Sequence, residues 1–178
     1  MIKAKKSLGQ NFLIDKNIID KIINTVPIAN NEILEVGPGT GNLTKQILKS
    51  DPRKMFLVEK DTVLAESLKE IIDERVTIFN EDILKFDEKN LSKSKIIVFG
   101  NLPYNVSTEI LSTWITSLKK EYWFSDLILM FQKEVADRIV AKFNTSTYGR
   151  LSILANWRLN INKICDISPE SFSPRPKI

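Results

Sequence analysis

The chain has 178 residues, of which 43% are hydrophobic and 27% charged, and it carries a net charge of +4. That suffices for one substantial core, with a basic excess that is compatible with a polyanionic partner but too mild to demonstrate one. With no histidine and one cysteine, the chain cannot build a Ser-His-Asp triad, a His-ligated metal site, an imidazole base, an intrachain disulfide or a Cys-cluster zinc site.

Any chemistry must therefore use carboxylates, amides, aromatics, backbone or a borrowed cofactor. No apolar run reaches transmembrane length, and the N-terminus (Met1-Ile2-Lys3-Ala4-Lys5-Lys6) lacks the apolar core of a signal peptide, so a cytoplasmic protein is expected. Basic residues gather at the two ends, with Lys3, Lys5 and Lys6 leading and Arg150, Arg158, Arg175 and Lys177 towards the end.

In chain order, a polar lead-in up to Leu13 is followed by Asp15, placed to cap a helix with the apolar face Ile18, Ile19, Ile22, Ile23 and Val26, stopped by Pro27. A strand at 33–36 runs into Gly37-Pro38-Gly39-Thr40-Gly41. A helix with Leu43, Ile47 and Leu48 on one side ends near Pro52. A strand at 54–58 ends in Glu59-Lys60-Asp61, and Val63, Leu64, Leu68, Ile71 and Ile72 mark the next helix. A strand at 76–79 ends at Asn80-Glu81-Asp82, and a charged loop over 85–95 leads to an apolar strand at 96–99.

After that strand comes Gly100-Asn101-Leu102-Pro103-Tyr104-Asn105, then a helix with Ile110, Leu111, Trp114, Ile115 and Leu118 on one face. Residues 126–132 read as a fully buried strand, 133–142 as a helix and 144–149 as a loop. A helix begins at Leu151, and a last strand spans Arg158 to Ile167, where Cys165 is expected as a buried, inert thiol. Strands alternating with helices, and apolar on both faces, indicate a parallel sheet covered by helices.

Open sheets of this kind place ligands at the C-terminal ends of their strands. The glycines from 37 to 41 sit where a strand hands over to a helix and let backbone approach a ligand. The dinucleotide fingerprint would need a glycine at position 42, where Asn42 stands, so the pattern suits a ligand without a pyrophosphate. Glu59 at the next strand tip can accept both hydroxyls of a ribose, and Asp82 at the third can accept from an adenine amino group. Taken singly, each acid is more simply a solvated loop residue; three successive strands ending in ligand-suited residues are not. Asn101, Pro103 and Tyr104 combine a carboxamide acceptor, a stiff turn and a flat ring face, which suits a planar amine-bearing ring.

This combination resembles class I S-adenosylmethionine-dependent methyltransferases: an α/β, Rossmann-like three-layer sandwich with a mostly parallel sheet. Five segments narrow the resemblance: 7–13 (Ser-Leu-Gly-Gln-Asn-Phe-Leu), 36–41, Glu59-Lys60-Asp61, 101–108 (Asn-Leu-Pro-Tyr-Asn-Val-Ser-Thr) and 172–178 (Phe-Ser-Pro-Arg-Pro-Lys-Ile). They resemble the ribosomal RNA adenine dimethylases, in family order from Lys5 to the last residue. Leu102 is more similar to the small-subunit enzymes, since the large-subunit resistance branch more often has Ile there.

The resemblance implies a domain spanning 1–178 with a lead-in over about 1–14. It also implies S-adenosylmethionine held by Gln10, Asn11, Leu13, Gly37, Gly39, Glu59, Lys60, Asp82, Ile83 and Asn101. A target adenine of small-subunit ribosomal RNA, in an immature 30S particle, would be positioned by Asn101, Leu102, Pro103 and Tyr104. Lys5, Lys6, Phe172 and Arg175 would contact RNA. A monomer without metal or membrane attachment is expected.

In the family, a final strand and a small helical domain follow the segment matching 172–178. A chain closing on Pro-Arg-Pro-Lys-Ile reads as incomplete, with its last strand poorly paired. Other readings are a non-catalytic RNA-binding assembly factor, a large-subunit ribosomal RNA methyltransferase, and a DNA adenine methyltransferase, whose motif usually carries Pro-Pro where this chain has Leu102-Pro103.

Overall fold

The computed structural model describes residues 10–118 and 121–176. Five parallel strands, β2 (Glu32–Val36), β3 (Lys54–Val58), β4 (Val76–Phe79), β5 (Ile96–Asn101) and β6 (Phe124–Met130), form a sheet of order β4-β3-β2-β5-β6. Among the described residues six α-helices accompany them: α1 (Lys16–Ile23), α2 (Asn42–Lys49), α3 (Thr62–Leu68), α4 (Ser107–Thr116), α5 (Lys133–Ile139) and α6 (Arg150–Arg158). From β2 the chain winds outward through β3 and β4, then returns to lay β5 against the other side of β2. That reversal makes the β2–β5 boundary a topological switch point, and the crevice above it is where such sheets take ligands.

Period-2 alternation assigns each strand residue to a face. Ile33, Met55, Leu57, Ile97 and Phe99 pack with α1, α2 and Leu68 of α3. Their neighbours Leu34, Val36, Phe56, Val58, Ile96 and Val98 pack on the opposite face with Ile110, Trp114 and Leu118. A strand buried on both faces must be apolar throughout, which is why β2, β3 and β5 lack the alternation of a half-solvated sheet. Leu111 and Ile115 of α4 face Ile139 of α5 and Ala155 of α6 in a third cluster. Asp15 caps α1, its carboxylate accepting from the N–H groups of Asn17 and Ile18, and thereby fixes where the chain leaves the sheet's upper edge.

Four expectations need correction. The apolar face of α3 is Leu64, Ala65 and Leu68; Val63 is 56% and Ile72 97% exposed, because the helix ends at Leu68 and Ile72 lies beyond it. β6 runs over 124–130, not 126–132, and it is the sheet's edge, with Ser125 and Asp126 exposed. Residues 159–168 form no strand, and Cys165 is half-buried, not buried. β6 ends the sheet, paired to β5 alone, and this segment does not run along its open side. An unexpected two-residue pairing appears elsewhere: β1 (Phe12–Leu13) lies antiparallel to β7 (Phe172–Ser173).

Candidate functional site

The tips of β2, β3, β4 and β5 open into one cavity. Its walls include Gly37, Gly39, Glu59, Lys60, Asp82, Ile83 and Asn101 to Tyr104, with Gln10, Asn11 and Phe12 across the top. Each tip carries a polar loop because the strand ends there and the chain must turn back at the solvent-facing edge.

Gly37 and Gly39 have φ of +68° and +58°, a left-handed region costly to residues with a Cβ. A Cβ on Gly39 would lie 2.7 Å from Phe12 Cδ1, and one on Gly37 would lie 3.2 Å from the main-chain oxygen of Asn101. Both glycines therefore keep a close approach open at the cavity floor. Glu59, only 6% exposed, closes this loop from the next strand: its carboxylate accepts from Gly39 N at 3.1 Å and Asp61 N at 2.9 Å. Burial pushes its carboxyl above the usual range, against the pull of those N–H donors. A carboxylate oxygen has two lone pairs, so each retains acceptor capacity for a hydroxyl.

At the third tip, Asp82 accepts from Lys60 Nζ at 2.7 Å and from Leu84 N at 3.1 Å. The Lys60 hydrogen bond holds its carboxyl below the ordinary range. Lys60 thus stands against Asp82 at the cavity rim. Ile83, buried at 9% exposure, supplies apolar surface next to it.

At the fourth tip, Asn101 Nδ2 donates to the Asn11 main-chain oxygen at 2.7 Å. This fixes the amide so that Oδ1 is the group left for a ligand. The Pro103 main-chain oxygen already accepts from Val106 N at 3.1 Å; among the described residues the Leu102 oxygen carries no such bond, so of these two carbonyls it is the available acceptor. Tyr104 is half-buried in the wall, and burial pushes its phenol up.

The chain crosses the top of the cavity as a strap tied at successive residues. Gln10 Nε2 donates to Asp61 Oδ2 at 3.0 Å, Phe12 covers Gly39, and Asn42 Nδ2 donates to the Leu13 oxygen at 2.8 Å. Ile14 N then donates to the Ser171 oxygen at 2.8 Å, and Ser171 Oγ donates to Asp15 Oδ2 at 3.0 Å.

Three named residues fall outside the cavity. Leu13 is 5% exposed and packs in the core beneath it, and its neighbour Phe12 lines the cavity instead. Phe172, expected to touch RNA, is buried opposite Leu13, so its ring is not on the surface. Arg175 is exposed, paired with Glu170 at 2.5 Å. Lys5 and Lys6 lie outside the described residues. Phe12, Leu84 and Asn42 were missed: Leu84 lines the cavity from the turn after Asp82, and the places of Phe12 and Asn42 depend on what the strap crosses, which no local pattern states.

Among the described residues no group of His, Cys, Asp and Glu is arranged to hold a metal ion, and no helix is long and apolar enough to cross a membrane.

The whole chain, residues 1–178, matches the family model described as ribosomal RNA adenine dimethylase. It is 60% identical over 177 residues to the ribosomal RNA small subunit methyltransferase A of Pelagibacter ubique, covering 99% of this chain and 68% of that protein. A dimethyladenosine transferase from Plasmodium falciparum superposes with a TM-score of 0.82 at 29% identity, covering 93% of this chain and 59% of the other. The 23S rRNA methyltransferase ErmE superposes with a TM-score of 0.73 at 25% identity, over 94% and 66%. The chain thus spans roughly three fifths to two thirds of the proteins it matches. A parallel sheet whose strand tips converge on one cavity, matched over all 178 residues, makes this chain a member of the ribosomal RNA adenine dimethylase family.

Proposed function

We propose that the protein transfers methyl groups from S-adenosylmethionine to the exocyclic amine of adenines in small-subunit ribosomal RNA, producing dimethyladenosine during ribosome maturation. The observation that carries this reading is the Asn101 amide, locked by Asn11 with its oxygen left to accept, at the switch-point edge beside Gly37 and Gly39.

The cavity suits the cofactor chemically. The glycine floor lacks the Cβ atoms that would fill it, Glu59 offers acceptors for ribose hydroxyls, Asp82 offers one for an adenine amine, and Ile83 offers apolar surface for a ring. Gln10 and Asn11 would close over it. S-adenosylmethionine, when bound, supplies an electrophilic methyl group on a sulfonium.

The protein's own part is alignment. An adenine amine is a poor nucleophile because its lone pair is delocalised into the ring. Asn101 Oδ1 and the Leu102 oxygen accept its two hydrogens and turn the lone pair out of the ring plane. Tyr104 offers a face for the unstacked base, which must leave its helix to be reached. Catalysis of this kind rests on proximity and fixed dipoles and needs no covalent enzyme intermediate. No strong base is required, since the amine proton becomes acidic once nitrogen carries the new bond and passes to water.

The test is methyl transfer from labelled donor to unmethylated small ribosomal subunits, using this chain beside one extended to the length of its relatives. Dimethyladenosine in small-subunit RNA with the extended chain is the expected result. A folded extended chain that binds no S-adenosylmethionine in calorimetry would instead favour a non-catalytic assembly factor.

A further inference from the structure

A second cleft of about 190 Å³ opens between α4 and the connection from β4 to β5, several times the ~30 Å³ share of one water. One side is a stripe of α4 and its C-terminal cap, Ile110, Thr113, Trp114 and Ser117, spaced i, i+3, i+4 and i+7 so that all four face the same way. The other side carries Glu88, at the start of a 3₁₀ turn over Glu88–Asn90.

Glu88 is 6% exposed, and among the described residues its carboxylate meets no donor except its own main-chain N–H. Its neighbours do not neutralise it. Asp87 is itself acidic and accepts from Asn90 Nδ2 at 2.7 Å, and Lys89 is exposed and acts on Glu88 through space alone. A carboxylate largely covered by protein, with no donor beyond its own main chain, and facing an open cleft is placed to accept from a ligand that enters there. Ser117 Oγ, which donates to the Trp114 oxygen at 3.1 Å, keeps its lone pairs to accept a further N–H.

We propose that this cleft is a binding site for a guanidinium group, with Glu88 as its counter-ion. Guanidinium is planar, presents several N–H donors and is weakly hydrated, so it tolerates the apolar flank of Ile110 and Trp114 better than a compact ammonium does. Burial pushes the Glu88 carboxyl upward in the free protein, and a guanidinium beside it would pull it back down. Ile83 and Leu84 line both this cleft and the main cavity, yet the proposal stands apart from the methyl-transfer reading: it needs neither donor nor RNA.

The experiment is an amide NMR titration of the whole chain with agmatine, as a free guanidinium, and with a capped Gly-Arg-Gly tripeptide, as a chain-borne one. Saturable shifts confined to residues 83–89 and 113–117 are expected. Response to both ligands assigns the site to guanidinium from either source; response to one alone assigns it to that source. The capped Gly-citrulline-Gly peptide, neutral and nearly isosteric, is expected to give none. Glu88→Gln is expected to weaken binding at least tenfold while its melting curve stays cooperative, and Glu109→Gln, at an exposed acid of α4, to leave binding unchanged. No saturable shift with either cation, equal binding of the citrulline peptide, or undiminished binding by Glu88→Gln would each overturn the proposal.

Discussion

Asn101 and Asn11 are ninety positions apart, and they meet in one 2.7 Å hydrogen bond from Asn101 Nδ2 to the Asn11 main-chain oxygen. That bond decides which end of the carboxamide faces the cavity. Asn101→Ala removes the acceptor while leaving the strand that carries it. Methyl transfer is expected to fall at least tenfold, or about 1.4 kcal/mol of barrier, with melting temperature nearly unchanged. Wild-type turnover in a folded variant would remove the role given to Asn101.

Gly39→Ala tests the floor and the strap together. The new Cβ would stand 2.7 Å from Phe12 Cδ1 at a φ of +58°. The left-handed backbone alone costs about 1–2 kcal/mol, and the Phe12 ring must also move. Affinity for S-adenosylmethionine is expected to drop at least tenfold by calorimetry. Adding Phe12→Ala relieves the contact, so the double variant is expected to lose less than the sum of the single losses; strict additivity would separate the two residues.

Lys60 and Asp82 offer a contrast of magnitudes. The Lys60 side chain is 59% exposed in its 2.7 Å pair with Asp82, so solvent limits that pair to about 1 kcal/mol or less. Lys60→Met is therefore expected to raise the KM for S-adenosylmethionine by no more than about fivefold. Asp82→Ala, which removes the acceptor itself, is expected to raise it more, with kcat little changed in both. A larger effect from Lys60→Met would reverse the assignment.

Glu35 makes stability depend on pH. It is 2% exposed, and burial pushes its carboxyl from 4.5 up to about 8; the hydrogen bond from Thr44 opposes this and the Glu59 charge adds to it. The folded state thus holds this proton more tightly than the unfolded chain. The resulting stability is complete below about 4.5 and is lost as pH rises through about 8, at up to about 1.4 kcal/mol per pH unit. Urea unfolding between those limits is expected to show this decline and Glu35→Gln to flatten it; an equal slope in the variant would place its source elsewhere.

The amino-acid sequence by itself determined the alternation of strand and helix, the capping of α1 by Asp15 and the ligand-suited tips at Gly37, Glu59, Asp82 and Asn101, because each is written in neighbours a few positions apart. Tertiary structure alone decided what distance in the chain hides. It put Phe12, not Leu13, in the cavity wall, turned Phe172 inward against the strap, made β6 an edge, and left 159–168 without a ladder. An apolar residue is buried or bare according to what packs over it, and a strand forms only where the fold lays the segment alongside another's open hydrogen bonds. Neither condition is a property of the segment concerned.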